Sequence, residues 1–257
     1  MPDDPDYTID ATETSLDLFE TLVESPEPMG VTALADSLGV SKSVVHNHLS
    51  TLRARNYVSK HGAKYAPSLC TLYPGAKTLQ GLPVYTAAKR HLDNLASASG
   101  ETAVLFVLEE SVGVPAYIAE ALGGWSPRYV AGERLPLHVN APGKAMLSAL
   151  SADRLDEVLD DRDLVAPTSA TITDPAELKR TLRGVRDEGV AFCRGEQFES
   201  IVGVAAPVTA DEEGRMAALG VCGPVDRLHG RYLEEDITGQ VLSTAKAIQV
   251  ELTGQNK

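Results

Sequence analysis

The sequence predicts an α+β fold in two parts: a small helical unit closed by a basic hairpin, then a larger unit in which strands and helices alternate. Three observations carry this. Apolar residues recur at helical spacing as far as Arg55 and then give way to a short β-rich run about His61-Gly62. From Thr102 onward, apolar runs such as TAVLFVL and GVPAYIA exchange places with amphipathic helical segments. Charge divides the same way: the 257-residue chain carries 23 Lys+Arg against 36 Asp+Glu, yet no Asp or Glu occurs between Asp36 and Asp93. Even scattering would place about eight carboxylates in that window, which instead holds eight cations. A cationic face on an acidic chain implies an anionic partner.

The remaining composition narrows the class. No apolar run approaches the length of a membrane span, and the start, MPDDPDYTID, is acidic where a signal peptide is basic. A cytoplasmic protein with no membrane contact is expected. Cys70, Cys193 and Cys222 are far apart, odd in number and without ligand spacing, so neither a disulfide framework nor a metal site is expected. His46 and His48, two apart, would point about 200° apart on a helix. The acid excess, with only nine lysines, also fits a protein built for concentrated salt, as in haloarchaea; the alternative is an ordinary acidic protein.

In chain order, residues 1–11 are Asp/Pro-rich and expected to be disordered. From Thr14 a helix is predicted with Leu16, Phe19, Leu22 and Val23 at helical spacing, broken by SPEP. TALADSLG is a second short helix, with Thr32 as N-cap, Leu34 and Leu38 on one face and Gly39 as the stop. Ser41 caps a third helix that runs to about Arg55, with Asn56 at its end. On it Val45, Leu49 and Leu52 face the preceding helices, while Ser43, His46, Asn47 and Ser50 face away, flanked by Lys42 and Arg53. YVSKHGAKYA then forms two strands, with Lys60 and Lys64 beside the turn. This order is a winged helix-turn-helix. Its third helix would read base edges in a major groove with short polar side chains. The hairpin lysines would sit against phosphates, and carboxylates on that face would be repelled.

PSLCTLYPGAKTLQGLP is a Pro/Gly-rich connector with a short helix around Ala76–Leu79, and VYTAAKRHLDNLASASG is helical, with Ala88, Leu92 and Leu95 on one face. In the C-terminal part, RYVAGERLPLHVNAPGKAMLSAL reads as strand, loop and a helix from about Gly143. ADRLDEVLDD and DPAELKRTLRGVRDEG are amphipathic helices, the second with Asp174 as N-cap, Pro175 at its first position and Gly189 as its stop. VAFCRG and GVAAPVTADEEGRMAALGVCG are strands with a turn at DEEG (211–214), and a long helix ends the chain. A sheet with helices on its faces, able to hold a small-molecule pocket, is expected.

With these elements placed, the chain resembles the IclR family of transcriptional regulators. LADSLGVSKSVVHNHLSTLRARNYV carries the likeness in the N-terminal part. GERLPLHVNAPGKAML, TITDPAELKRTLRGVRDEGVAF and GVAAPVTADEEGRMAALGVCGP carry it, in the right order, through the rest. The resemblance implies a winged helix-turn-helix at 12–67, a linker at 68–83 that contains a helix, and a GAF-like α/β effector-binding domain at 84–257. It further implies a homodimer or homotetramer that binds a double-stranded operator and responds to a small molecule, more often as a repressor; no sequence motif calls for a cofactor.

By the same likeness, DNA contacts come from Ser41, Lys42, Ser43, His46 and Asn47. Asn47 stands where the family often has Arg, which shifts preference from guanine towards adenine; Val44 replaces a common Thr. The effector positions correspond to Ala141, Pro142, Cys193, Ile201, Gly203, Gly220 and Cys222. Family members that bind small carboxylic acids often carry polar side chains at several of these, whereas here the glycines offer none and the thiols bond weakly. A bulkier or less charged effector is therefore expected, with backbone N–H groups at the start of the GKAM helix left to hold any anion. Plainer roles remain beside these: close packing for Gly203 and Gly220, burial for the cysteines, a structural part for His138.

Two other functions compete. The winged helix could dock on protein instead of DNA. An enzyme would need a nucleophile or cofactor motif, but no GxSxG, GxGxxG or HExxH occurs, and PGKAM lacks the rest of a phosphate loop. Cys193 with His138 would be its only thiol pair. No catalytic residue is expected.

Overall fold

The computed structural model describes residues 7–160, 163–209 and 215–254, in two compact units divided between Thr78 and Leu79. The DEEG turn and the first six residues lie outside the described residues.

In the first unit, helix α1 (Asp10–Glu24) starts four residues before Thr14 and takes in the last two positions of the expected tail. Leu18 and Leu22 are its buried residues and Phe19 is half-buried, whereas Leu16 and Val23 are exposed. The spacing was compatible with either stripe; packing against the next two helices selects the one containing Leu18. Helix α2 (Val31–Leu38) is entered from Gly30 with no side-chain cap, so Thr32 lies inside the helix and is not its cap. Residues Met29–Gly30 are extended because they form a short strand, β1. Gly39 then ends the helix at φ 67°, a left-handed conformation that glycine adopts without a Cβ clash.

Helix α3 (Lys42–Ala54) is capped by Ser41, whose hydroxyl accepts from Val44 N at 3.2 Å. Val45 and Leu49 are buried against α1 and α2, and Leu52 is half-buried. Strands β2 (Val58–His61) and β3 (Lys64–Pro67) form the hairpin, and β1 pairs with β3 to make a third strand. The turn is Gly62-Ala63, one residue later than the sequence suggested, with Gly62 at φ 63°. Val58 and Tyr65 close the core of this unit.

The connector is more helical than expected. After a 3-10 turn (Leu69–Thr71), helix α4 spans Leu72–Gln80; Pro74 falls in its first turn, where no N–H is needed for the helix.

The second unit is a sheet between two helical layers. Helix α5 (Pro83–Ser99) leads into strands β4 (Thr102–Glu109) and β5 (Val112–Ala119). Helices α6 (Ala141–Ala149), α7 (Ala152–Asp160) and α8 (Pro175–Glu188) follow, then strands β6 (Ala191–Arg194), β7 (Ile201–Thr209) and β8 (Met216–Pro224). A π-helical turn (Tyr232–Ile237) runs into the last helix, α9 (Thr238–Gly254). The sheet is antiparallel throughout, in the order β5-β4-β8-β7-β6.

Alternation sorts the side chains. Leu105, Val107, Val202, Val204, Leu219 and Val221 pack with α5 and α9. Val104, Phe106, Ala191, Cys193, Ala205 and Ala218 pack with α6, α7 and α8 on the other face. Both faces being covered, β4 reads as an almost unbroken apolar run.

Two expectations fail between β5 and α6. RYV is not a strand: residues 120–134 are irregular, and only an isolated bridge joins Gly113 to Leu135. Helix α6 begins at Ala141, two residues early, because the Asn140 side chain caps it by accepting from Gly143 N at 2.8 Å. Gly143 is fixed by crowding, since a Cβ there would lie 2.0 Å from the Leu137 carbonyl oxygen.

One buried ion pair ties α6 to the turn between β6 and β7. Lys144 Nζ donates to both Glu196 carboxylate oxygens at 2.6 and 2.7 Å, with the side chains 2% and 9% exposed. Thr168 Oγ1 donates to Gly195 O and Thr171 Oγ1 to Glu196 O, both at 2.7 Å, which holds the same turn from outside.

Two outcomes follow for urea denaturation. Lys144→Met leaves the Glu196 charge buried without its partner and lowers stability by about 3–5 kcal/mol, while adding Glu196→Met restores much of it. Ser41→Ala removes a single cap and costs about 1 kcal/mol.

Candidate nucleic-acid interface and ligand pocket

All nine residues selected for DNA contact are exposed: Ser41, Lys42, Ser43, His46, Asn47, Ser50, Arg53, Lys60 and Lys64. On α3, at roughly 100° per residue, Lys42 to Arg53 of this set share an arc of about 140°. The fold therefore presents them as one surface, opposite Val45 and Leu52. Their hydrogen-bonding capacity is unequal. Ser50 donates its hydroxyl proton to His46 O at 2.8 Å, which leaves it an acceptor only. Ser41 oxygen is engaged as the cap but keeps its proton for an outside acceptor. The Ser43, His46 and Asn47 side chains have no hydrogen-bond partner among the described residues. His48, two residues on, turns inward and bonds the Ser15 hydroxyl at 2.7 Å through Nδ1.

Strand parity separates the two hairpin lysines. Lys60 pairs with Tyr65 and His61 with Lys64, so Lys60 and Lys64 lie on opposite faces of the hairpin. Lys60 Nζ sits 5.5 Å from the Tyr65 ring centroid, a cation–π contact that holds it in place. Lys64 shares its face with His61.

The seven residues selected for an effector come together as well. Ala141, Pro142, Cys193, Ile201, Gly203, Gly220 and Cys222 all line one cavity of about 30 Å3 on the α6 side of the sheet. Register explains how: Cys193 pairs with Gly203 and Gly203 with Cys222, so two thiols flank a position without a side chain. In the next row Ala205 pairs with Gly220, which also pairs with Val104. Close packing fixes the glycines. A Cβ on Gly220 would fall 2.5 Å from Val204 O, and one on Gly203 would fall 3.1 Å from Val221 O.

The rest of the wall escaped sequence reasoning: Val104, Val202 and Val221 of the sheet, and Trp125, Tyr129, Asn140, Gln197 and Phe198. Trp125 and Tyr129 lie in the irregular stretch that was read partly as a strand, and Gln197 and Phe198 in the β6–β7 turn. The signal available was aromatic residues in a chain only 5% aromatic, set among Gly and Pro in GGWSPRYVAGE. Trp125 and Phe198 meet edge to face, with centroids 6.0 Å apart. Thr102 Oγ1 donates to Trp125 O, anchoring that loop to β4.

The electrostatics of the cavity favour neutral groups. Burial pushes the Cys222 thiol up to about 12 and raises that of Cys193. Burial also holds the Tyr129 hydroxyl well above its ordinary value, with the Cys222 sulfur adding to the rise. Both shifts disfavour the thiolate form that nucleophilic chemistry needs.

Cys193 and His138 are not brought together as a pair. The Cys193 thiol donates to Val139 O at 3.3 Å, while His138 Nε2 bonds Val165 O at 2.8 Å and lines a separate cleft of about 650 Å3. Burial lowers the His138 pKa, keeping the ring neutral.

The backbone donors expected to hold an anion are largely taken. At the start of α6, Pro142 has no N–H and Gly143 N is bound by Asn140.

Comparison with known proteins places this arrangement. The model described as the IclR helix-turn-helix domain matches residues 11–62, and that of the bacterial transcriptional regulator IclR C-terminal region matches residues 76–250. The transcriptional repressor IclR of Escherichia coli is 28% identical over 243 residues, covering 93% of this chain and 88% of that one. The glycerol operon regulatory protein of Streptomyces griseus is 30% identical, over 86% of this chain and 87% of its own. In fold alone, the structure superposes with a TM-score of 0.80 on an IclR homolog from Microbacterium hydrocarbonoxydans solved with 4-hydroxybenzoate. The sequence identity there is 19%, over 95% of this chain and 99% of the other. With both domain models matched in order along its length, the chain belongs to the IclR family of transcriptional regulators.

Proposed function

We propose that α3 enters the major groove of a double-stranded operator, and that the cavity beside α6 holds a small effector that changes operator affinity. Ser43, His46 and Asn47 read base edges. Ser41, Lys42 and Arg53 contact phosphates at the two ends of the helix, and Ser50 accepts from a base amino group. Lys60 and Lys64, on opposite faces of the hairpin, bracket its tip against the backbone. The outcome is repression, as with the Escherichia coli repressor. The observation that carries this reading is the exposed face of α3, where polar and cationic side chains stand together in a segment without a carboxylate.

The protein acts in the cytoplasm as a homodimer or homotetramer. Apolar surface supports assembly: Ile9, just before α1, and Leu16 and Val23 on it stand seven residues apart and are all more than half exposed. Leu69, Leu72 and Tyr73, at the start of the linker helix, are exposed too. Effector binding then shifts the equilibrium between two states of the assembly by its differential affinity for them. Among the described residues, no helix is long and apolar enough to cross a membrane.

Binding to genomic DNA fragments should fall with salt, log affinity against log concentration having a slope of about −0.9 for each phosphate neutralised. Lys64→Ala should weaken all sequences alike and reduce that slope by about 1. Asn47→Ala should cost about 1–3 kcal/mol on the preferred site and little on others. A uniform loss on every sequence would remove Asn47 from base reading. Binding without salt dependence would favour a protein partner for the winged helix.

A further inference from the structure

We propose that the cavity beside α6 takes an uncharged single-ring aromatic molecule with one hydrogen-bonding group, of the phenol or benzamide class. This rests on the effector reading of that cavity and names what the effector is chemically.

Four features of the cavity converge on it. First, among the described residues no Lys, Arg, His, Asp or Glu lines it. The cation carried by α6, Lys144, is saturated by both oxygens of Glu196 and offers no net charge. Second, the start of the helix is a poor anion site, with Ala141 N the one first-turn donor left uncommitted among the described residues. Pro142 lacks an N–H, Gly143 N is bound by the Asn140 side chain, and Lys144 N by Asn140 O at 3.1 Å. An anion entering would be stripped of water with little to replace it. The raised pKa values of Tyr129 and Cys222 express the same hostility to negative charge.

Third, one buried donor is poorly served. Tyr129 is 6% exposed, and the only hydrogen-bond partner of its hydroxyl among the described residues is the Cys222 sulfur at 4.0 Å. Thiols are weak partners, and buried tyrosine hydroxyls usually find better ones. A ligand oxygen would accept this bond, and the half-buried Gln197 amide lies on the same wall.

Fourth, sheet and helix form some of the walls and loops form the others. The floor is sheet, made flat by Gly203 and Gly220, and one side is α6. At about 30 Å3 the cavity holds one or two waters, so a ring must gain space from the loops. The edge-to-face contact of Trp125 with Phe198 joins two different loops. A flat aromatic ligand replaces that contact with equivalent ones and so enters at little net loss.

The test uses the full-length protein at about pH 7, where phenol is neutral because phenolic groups titrate near ~10. Trp125 is the only tryptophan, so its emission reports on this cavity alone. Benzamide and phenol should shift that emission saturably and raise the melting temperature. Benzoate, which shares the shape of benzamide but is anionic, should bind at least about tenfold more weakly. Tyr129→Phe, which keeps the ring and its packing, should weaken phenol roughly three- to tenfold, the value of one hydrogen bond. Benzoate binding as tightly as benzamide would overturn the proposal. So would the lack of a saturable response to both neutral ligands by emission and melting alike, or unchanged phenol affinity in Tyr129→Phe. None of these readouts involves DNA. Saturable benzamide or phenol binding that leaves DNA affinity unchanged therefore counts against the regulatory reading while supporting the ligand class.

Discussion

The alternation of side chains across a sheet that is covered on both faces governs this protein. On β7 and β8, one set of positions is committed to the core shared with α5 and α9, and the residues between them face α6 and α8. A slip of one residue in pairing would carry Val202 and Val204 out of that core and bury the thiol row in it. The cost of exposing valines and leucines, about 1.5–3 kcal/mol each, fixes the register. The cavity is a by-product of that register. On the α6 side of the sheet that register sets Cys193, Gly203, Gly220 and Cys222 side by side along one wall of the cavity.

Charge is handled in opposite ways by the two units. The first keeps its cations exposed and its carboxylates out of α3 and the hairpin, so that its field reaches an outside partner. The second buries a lysine and cancels it on the spot, with Glu196 accepting two bonds from Lys144 and one from Arg194 N. That pair organises the β6–β7 turn, which supplies part of the cavity wall without lending it charge. Aromatic edges and the weakly bonded Tyr129 hydroxyl make up much of the remaining wall.

Much of this was legible in the sequence. Ser41, Gly39, Asp174 and Gly189 act locally, through caps and stops, and each appears where its chemistry requires. The failures have a common cause. Thr32 is a good cap by type, but Gly30 took that position because Met29 was drawn into a strand pair with Tyr65, thirty-six residues away. Leu16 and Leu18 are equally apolar, and only the position of α2 and α3 tells which is buried. RYV has strand propensity, yet Tyr129 spends its ring on Phe106 and the Val130 backbone bonds Glu133 in place of a neighbouring strand.

The sequence by itself determined most of the order of elements and the polar face of α3, because these rest on local periodicity, while the seven residues around the cavity follow from the family likeness that its spaced motifs carry. The tertiary structure alone decided that Lys60 and Lys64 face opposite ways, that Lys144 meets Glu196, and that Trp125, Tyr129 and Phe198 close the cavity. Those are relations between residues distant in the chain or set by strand pairing, and no local propensity encodes a contact that exists only once register and packing have brought its partners together.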